Sequence, residues 1–438
     1  MPVNFKGYNR KIVIYSYYII LLYSNQIMSS FITFGCWNRW YCNPGPQLSN
    51  PLSNVIAKMD SYIHTLGKEP SFVCVAGDNY YPEVVGKGED KKKYLSIPEL
   101  RSGFECLSEF QKRHPRIPID IIAGNHDIEG TKKMTVIPAS TPATEPCIIT
   151  KAEIESTMHH HNMNFTMFNY RIINNTLVIM LDSNIYCETL GDEELQCYTL
   201  LVDHTLSTLK LEKLHDGLPI TDVDQLKTLQ RAWLTRMYAA VKGHTIQNVV
   251  IAAHHPIAMY KVKNGCKFHT TSDEYLELCH SIYSNLQHMK TSSRLRFFYS
   301  CADLHTYQAG VVTLNAGGIP IIINQEIAGT GGTALEEDVA SIHDVETGKC
   351  NFNHTSVILV SYVMTNIVHS NGFLHWKIDS RSGNLTARFI ATHEPKKEKS
   401  RSKRKSSSGR SSSGGGTKRR RQRTSKRGRR IRRSRSRH

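Results

Sequence analysis

Three short apolar runs end in side chains able to hold a cation, and this recurrence restricts what the chain can be more than any other feature. Phe72-Val73-Cys74-Val75-Ala76 leads into Gly77-Asp78-Asn79-Tyr80-Tyr81, Ile119-Asp120-Ile121-Ile122 into Ala123-Gly124-Asn125-His126-Asp127, and Val249-Val250-Ile251-Ala252-Ala253 into His254-His255-Pro256. Runs of this length read as strands buried on both faces, and the glycines after the first two mark sharp turns. α/β proteins gather their chemistry beyond the carboxyl ends of such strands. The pattern therefore predicts an α/β fold with its site at one sheet edge. Alone, Gly-Asn-His-Asp is a polar turn; three strand ends carrying carboxylate, amide and imidazole groups together read as a ligand set. Leu177-Val178-Ile179-Met180-Leu181 is a further strand, and the Asp182 at its end fits a turn cap as well as a site.

A chain of 438 residues, 40% hydrophobic, suits one large catalytic domain with appendages. Its net charge of +17 is concentrated at one end. From Lys396 onward there are 21 Lys and Arg against the single acid Glu398, whereas residues 1–395 carry 34 basic and 37 acidic residues. The body is near neutral, so any basic nucleic-acid surface belongs to the tail. The eleven cysteines are odd in number and widely spaced, without a CxxC pair, a pattern that predicts reduced intracellular thiols.

Residues 12–23 form an apolar run after Lys6, Arg10 and Lys11, short of the roughly 20 residues of a membrane-spanning helix. Three readings stand: a signal peptide without a typical cleavage site, a segment packed on the core, or a leader upstream of a natural start at Met28. The third is favoured here. The expected organisation is thus an N-terminal extension over 1–27, a catalytic domain over 28–394 and a disordered tail over 395–438 rich in Arg, Lys and Ser. Sequons at Asn164, Asn174, Asn353 and Asn384 fit secretion but arise easily by chance. Leu226, Leu229, Trp233, Leu234, Met237 and Val241 recur at helical spacing after Thr221 or Asp222, which predicts an amphipathic helix feeding the His254 strand. Residues 86–94 and 138–147 read as exposed loops, and Gly329-Thr330-Gly331-Gly332 as a turn with unusual backbone angles.

The series Gly77-Asp78-x-x-Tyr81, Gly124-Asn125-His126-Asp127, Ile251-x-x-His254 and a final His305 resembles the calcineurin-like metallophosphoesterases, and within them the purple acid phosphatase branch, across about residues 31–340. The resemblance implies a four-layer α/β/β/α sandwich and two divalent or trivalent ions (Fe, Mn or Zn) that hydrolyse a phosphate ester through a metal-bound hydroxide. Two such ions about 3.5–4 Å apart stabilise both the attacking and the leaving oxygen. By motif, Asp78 bridges the ions, Asn125 and His254 serve one, and Tyr81 and His305 serve the other. His126 contacts the phosphate and protonates the leaving oxygen, with Asp127 orienting its ring.

Two departures bear on this. Where the family's first motif has an aspartate ligand, this chain reads Gly35-Cys36-Trp37-Asn38. A Cys36 thiolate can coordinate zinc or iron, and Asn38 stands where relatives have a ligand histidine; a small buried thiol is the alternative reading. Where the family has Gly-His-x-His, the chain has Ala302-Asp303-Leu304-His305, so Asp303 would supply oxygen in place of imidazole. His255 is expected to contact substrate or support His254. His159-His160-His161 reads as a solvated loop, and Tyr41 and Tyr80 as packing residues.

The tail suits counterion-release binding to nucleic acid or another polyanion. Its clusters Lys418, Arg419, Arg420, Arg421 and Arg429, Arg430, Arg432, Arg433 also fit nuclear import, and its Arg-Ser alternation invites phosphorylation. A catalytic domain joined to such a tail also resembles phosphoesterases of large DNA viruses, which implies an intracellular, nuclear or virion-associated location. The competing expectation is a degenerate phosphoesterase fold, inactive through Cys36 and Asp303, that acts as a polyanion-binding protein.

Overall fold

The computed structural model describes residues 29–39, 50–86, 91–132, 134–137, 145–158, 160, 162–261, 267–289, 295–316, 318–335 and 359–393. The leader, the tail with its basic clusters, Tyr41, His159 and His161 lie outside them. Contacts divide the chain into two units between Pro395 and Lys396, and all the described residues belong to the first.

The expected apolar runs are strands. Val73–Ala76, Ile119–Ile122 and Asn248–Ala252 are buried along their whole length, as strands covered on both faces must be. Ser29–Phe34, Val73–Ala76 and Ile119–Ile122 run parallel to one another in a six-stranded sheet, which Met163–Phe165 extends at one edge and Gly372–Ile378 and Leu385–Ala391 at the other. In the second, seven-stranded sheet, Thr176–Leu181, Asn248–Ala252 and Arg296–Cys301 are parallel neighbours.

Alternation along the strands decides what lies between the sheets. Phe31, Cys74, Ile122 and Trp376 of the first sheet share one apolar cluster with Val178, Met180, Val250, Ala252 and Phe298 of the second. A buried hydrogen bond of 2.7 Å between Thr33 Oγ1 and Ser300 Oγ crosses the same interior. The intervening residues Ile32, Phe34, Val73, Val75, Ile119 and Ile121 belong instead to a cluster with Val55, Met59, Phe104, Leu107 and Phe110 of two helices.

Those helices begin where their caps dictate. Pro51–Thr65 starts on Asn50, whose side chain accepts from Ser53 N, and Ile97–Arg113 on Ser96, whose side chain accepts from Glu99 N. Val223–Val241 starts on Asp222, which settles the choice of cap, and it buries all six residues named from the periodicity.

Two expectations are corrected. Residues 86–94 are not wholly loop, because Lys92–Ser96 is a strand paired with Glu83–Val85 and Thr135–Ile137. Nor are the cysteines all reduced. Cys147 and Cys197 form a disulfide, with Cα atoms 5.0 Å apart across 50 residues of sequence, and Cys106 is disulfide-bonded as well. Cys147 precedes one helix and Cys197 lies inside another, so only helix packing brings them together and no short spacing announces the pair.

Candidate metal centre

The carboxyl ends of both sheets meet at one place. His254 Nδ1 lies 2.9 Å from Ala76 O, Gly35 N donates to Ala328 O, and Ala302 N donates to His254 O. Each chain end turns sharply there: Cys36, Asp78 and Asp303 have φ of 52°, 52° and 56°. Non-glycine residues held in this left-handed region concentrate at functional sites. Gly77 and Gly124 allow the close approach, since a Cβ on either would overlap the other turn, and His254 or Asp78 besides.

Asp78 is the hub. Its Oδ2 accepts from the Tyr81 hydroxyl at 2.6 Å and from the Cys36 thiol at 3.7 Å. Its Oδ1 faces His254 Nε2 at 3.3 Å and accepts from the His126 amide. Burial opposes the charge on Asp78, but His254, His126 and the Tyr81 hydroxyl outweigh it and bring the carboxyl down to about 2. Around Oδ2, His305 Nε2 lies 3.0 Å from the Tyr81 hydroxyl, and its Nδ1 is held by Thr333 Oγ1. The ligand atoms of Cys36, Asp78 and His305 lie within 4.8 Å of one another. Around Oδ1, Asn125 Oδ1 lies 3.1 Å from His254 Nε2.

The donor chemistry suits cations. Burial, and then the Asp78 charge, push both the Cys36 thiol and the Tyr81 hydroxyl well above their usual ranges. Both therefore hold protons that point at one carboxylate oxygen, and both could act as ligands if a cation displaced those protons. Burial lowers His305, favouring the neutral imidazole that a metal ligand requires, and it lowers His126 as well.

His126 stands apart from this set, with its side chain 32% exposed where His254 is sealed. Its ring lies 4.8 Å from that of Tyr81, and its Nδ1 faces Glu129 at 3.3 Å. Glu129, three residues on, was missed in the sequence and also pairs with Lys93.

Four assignments are corrected by this geometry. Asp127 does not orient the His126 ring: its carboxylate accepts from Asn79 N, Asn79 Nδ2 and Gly124 N and so ties two strand ends together. Asn38 is not turned toward the ligand atoms; its amide donates to Leu100 O and lies flat on Gly103 of the helix. Asp303 is outside the three-residue ligand cluster and pairs with Lys261 at 3.6 Å, although its charge still acts on Cys36, His126 and His305 and its backbone amide supports the Cys36 sulfur. His255 has both ring nitrogens engaged, Nδ1 with Ser183 Oγ and Nε2 with Glu188, which leaves no ring nitrogen for substrate.

Elsewhere the blander readings hold. Asp182 accepts from Asn184 N and the Tyr198 hydroxyl, as a turn cap does. Tyr80 accepts from Ser96 N; His160, expected in a solvated loop, is instead half-buried and bonds Ser108. Buried Glu153, also missed, sits beside Asp127, and burial pushes both carboxyls up.

No protein-family model matches the sequence, and no curated protein matches it. Among solved structures, a purple acid phosphatase, PPD1, from yellow lupin (Lupinus luteus) seeds aligns over 84% of this chain with 10% identity and a TM-score of 0.42. This chain spans about half of that protein, covering 54% of it. A structure of PhoD aligns over 84% of this chain and 72% of its own, with 8% identity and a TM-score of 0.44. Likenesses this distant do not bear on the site, which stands on its own geometry.

Proposed function

We propose that the chain is a binuclear metal-dependent phosphoesterase built as a four-layer α/β/β/α sandwich. The observation that carries this reading is the division of the Asp78 carboxylate, with Oδ2 toward Cys36 and Tyr81 and Oδ1 toward His254. One carboxylate offering an oxygen to each of two donor sets is what a pair of cations requires of its bridge. Cys36, Tyr81 and His305 are the residues to hold one ion, and Asn125 and His254 the other. Such ions neutralise phosphate oxygens and activate water.

The remaining work falls to the chain itself. His126 is the open group at the mouth, and Glu129 on Nδ1 stabilises the imidazolium that gives a proton from Nε2 to a leaving oxygen. Asp127 keeps the Asp78 and Asn125 turns in register through Asn79 and Gly124. A degenerate, inactive fold is the second reading, favoured by Asn38 and Asp303 facing Leu100 and Lys261 rather than the centre.

Metal content and aryl-phosphate hydrolysis, measured on the same purified protein, separate the two. Two equivalents of Fe, Mn or Zn that depend on Asp78, together with turnover, are expected. Asp78→Asn should lose both ions, and His126→Ala should keep them while turnover falls on the order of 10²–10⁴-fold. Equal metal content in wild type and Asp78→Asn would refute the bridge.

We further propose that the tail over 395–438 binds nucleic acid or another polyanion through its basic clusters, in an intracellular, nuclear or virion-associated setting. Truncation at Pro395 should abolish binding to a DNA duplex at low salt; retained binding removes the tail's role. The Cys147–Cys197 disulfide is uncommon in a reducing cytosol or nucleus and favours the virion-associated member of these settings.

A further inference from the structure

A second group of ligand-bearing side chains lies at the opposite end of the first sheet. Asp60 and His64 are four residues apart near the end of helix Pro51–Thr65, so they share one face. His114 caps helix Ile97–Arg113, just before the strand that begins at Ile119. Both positions precede the amino ends of strands whose carboxyl ends carry Asp78 and Asn125, so the full length of the sheet separates this group from the candidate centre.

The ligand atoms of Asp60, His64 and His114 lie within 4.8 Å of one another. His114 is only 2% exposed, yet both of its ring nitrogens face carboxylates: Nε2 lies 2.8 Å from Asp60 Oδ1 and Nδ1 lies 3.3 Å from Glu69 Oε1. A neutral imidazole has one N–H and one lone pair. In that form it satisfies one of these carboxylates, while the other confronts its lone pair. An imidazolium would satisfy both, and so would a metal ion between Nε2 and Asp60, with the Nδ1 proton donated to Glu69. A carboxylate on the far nitrogen is also the usual support of a metal-bound histidine.

The spacing is already suitable. Ligand atoms around a tetrahedral zinc ion stand about 3.3 Å apart, given bonds of roughly 2.0 Å. The Nε2 to Oδ1 contact need open by only a few tenths of an ångström, and exposed His64, whose ring centroid is 5.6 Å from that of His114, closes the third corner. Arg113 Nε is also on Asp60 Oδ1 at 3.3 Å, and its side chain, 46% exposed, competes with a cation for that oxygen.

We propose that Asp60, His64 and His114 form a structural zinc site, with Glu69 holding the His114 ring and the fourth position left to water. Zinc there pins the ends of two helices beside the entries to two central strands. None of these residues belongs to the candidate centre, so the zinc site is independent of the phosphoesterase reading.

The test uses full-length Asp78→Asn protein, which clears the central site, dialysed against micromolar free zinc and counted by elemental mass spectrometry. One equivalent of zinc is expected, lost on adding His64→Ala and lost equally with His64→Gln, which keeps the polar side chain but not the ligand. In wild type the same His64 substitutions should remove one equivalent. Zinc should raise the Tm of the Asp78→Asn protein and leave that of the double variant unchanged. Arg113→Ala, by removing the competing guanidinium, should tighten zinc binding. Identical zinc content with and without His64, or none at all, would mean that His114 is an imidazolium between two carboxylates and would overturn the site.

Discussion

The two sides of the Asp78 carboxylate differ in completeness. On the Oδ2 side, Cys36, Tyr81 and His305 converge on one small volume, all turned inward and all tied to elements far apart in sequence. On the Oδ1 side, His254 and Asn125 converge, but Asp303 leans to Lys261. The first side offers a soft thiol held in place by burial. Beside the second, the Asp303 carboxylate has a lysine within reach. A donor keeps its direction where burial holds the side chain, and changes partner where a mobile charge is within reach.

The largest expected effect lies behind the second side. Asn184 Nδ2 links Asp182 to Ala123 O, next to the Asn125 turn. Burial, only partly offset by Tyr198 and Asn184, raises Asp182 from 3.8 to about 6. Because the folded value exceeds the unfolded one, this group favours the folded state below about pH 4, and that contribution disappears as pH rises through 6. A shift of that size corresponds to about 3 kcal/mol. Urea unfolding from pH 4 to 7 should show Asp182→Asn losing this decline relative to wild type; parallel curves would detach Asp182 from the stability of the second side.

Next comes Cys36→Asp, which alters the first side alone. Substituting oxygen for sulfur should move that ion's preference from Zn toward Mn by about tenfold, read by metal competition, with the other ion unaffected. If both ions shift together, the two sides are not separable. The smallest effect is Lys261→Met. A partly exposed pair of this kind contributes about 1 kcal/mol, so freeing Asp303 should tighten the second ion by about fivefold in calorimetric titration. No change would show that Asp303 stays out of the centre even when unpaired.

Much of the fold and the centre was legible in the residues. Strand runs ending at Ala76, Ile122 and Ala252 could be read because full burial leaves an unbroken apolar string, and parallel pairing then places their ends along one edge. The helix Val223–Val241 could be read because one periodic face was covered. Asp78, Tyr81, Asn125, His254, Cys36 and His305 come together as the motif spacing led one to expect. Glu129 and Glu153 were missed because a lone acid in a polar turn or on a helix resembles many solvated ones.

What local sequence determined, then, is the set of strand ends and the donors they carry, since backbone period and burial are written into neighbouring residues. Tertiary structure decided which atom each donor faces. Asn38 meets Leu100 from 62 residues away, Asn79 meets Asp127 from 48, and Cys147 meets Cys197 from 50. A side chain's partner is set by whatever packing brings within about 3 Å, and hydrogen bonds and disulfides act only at that range.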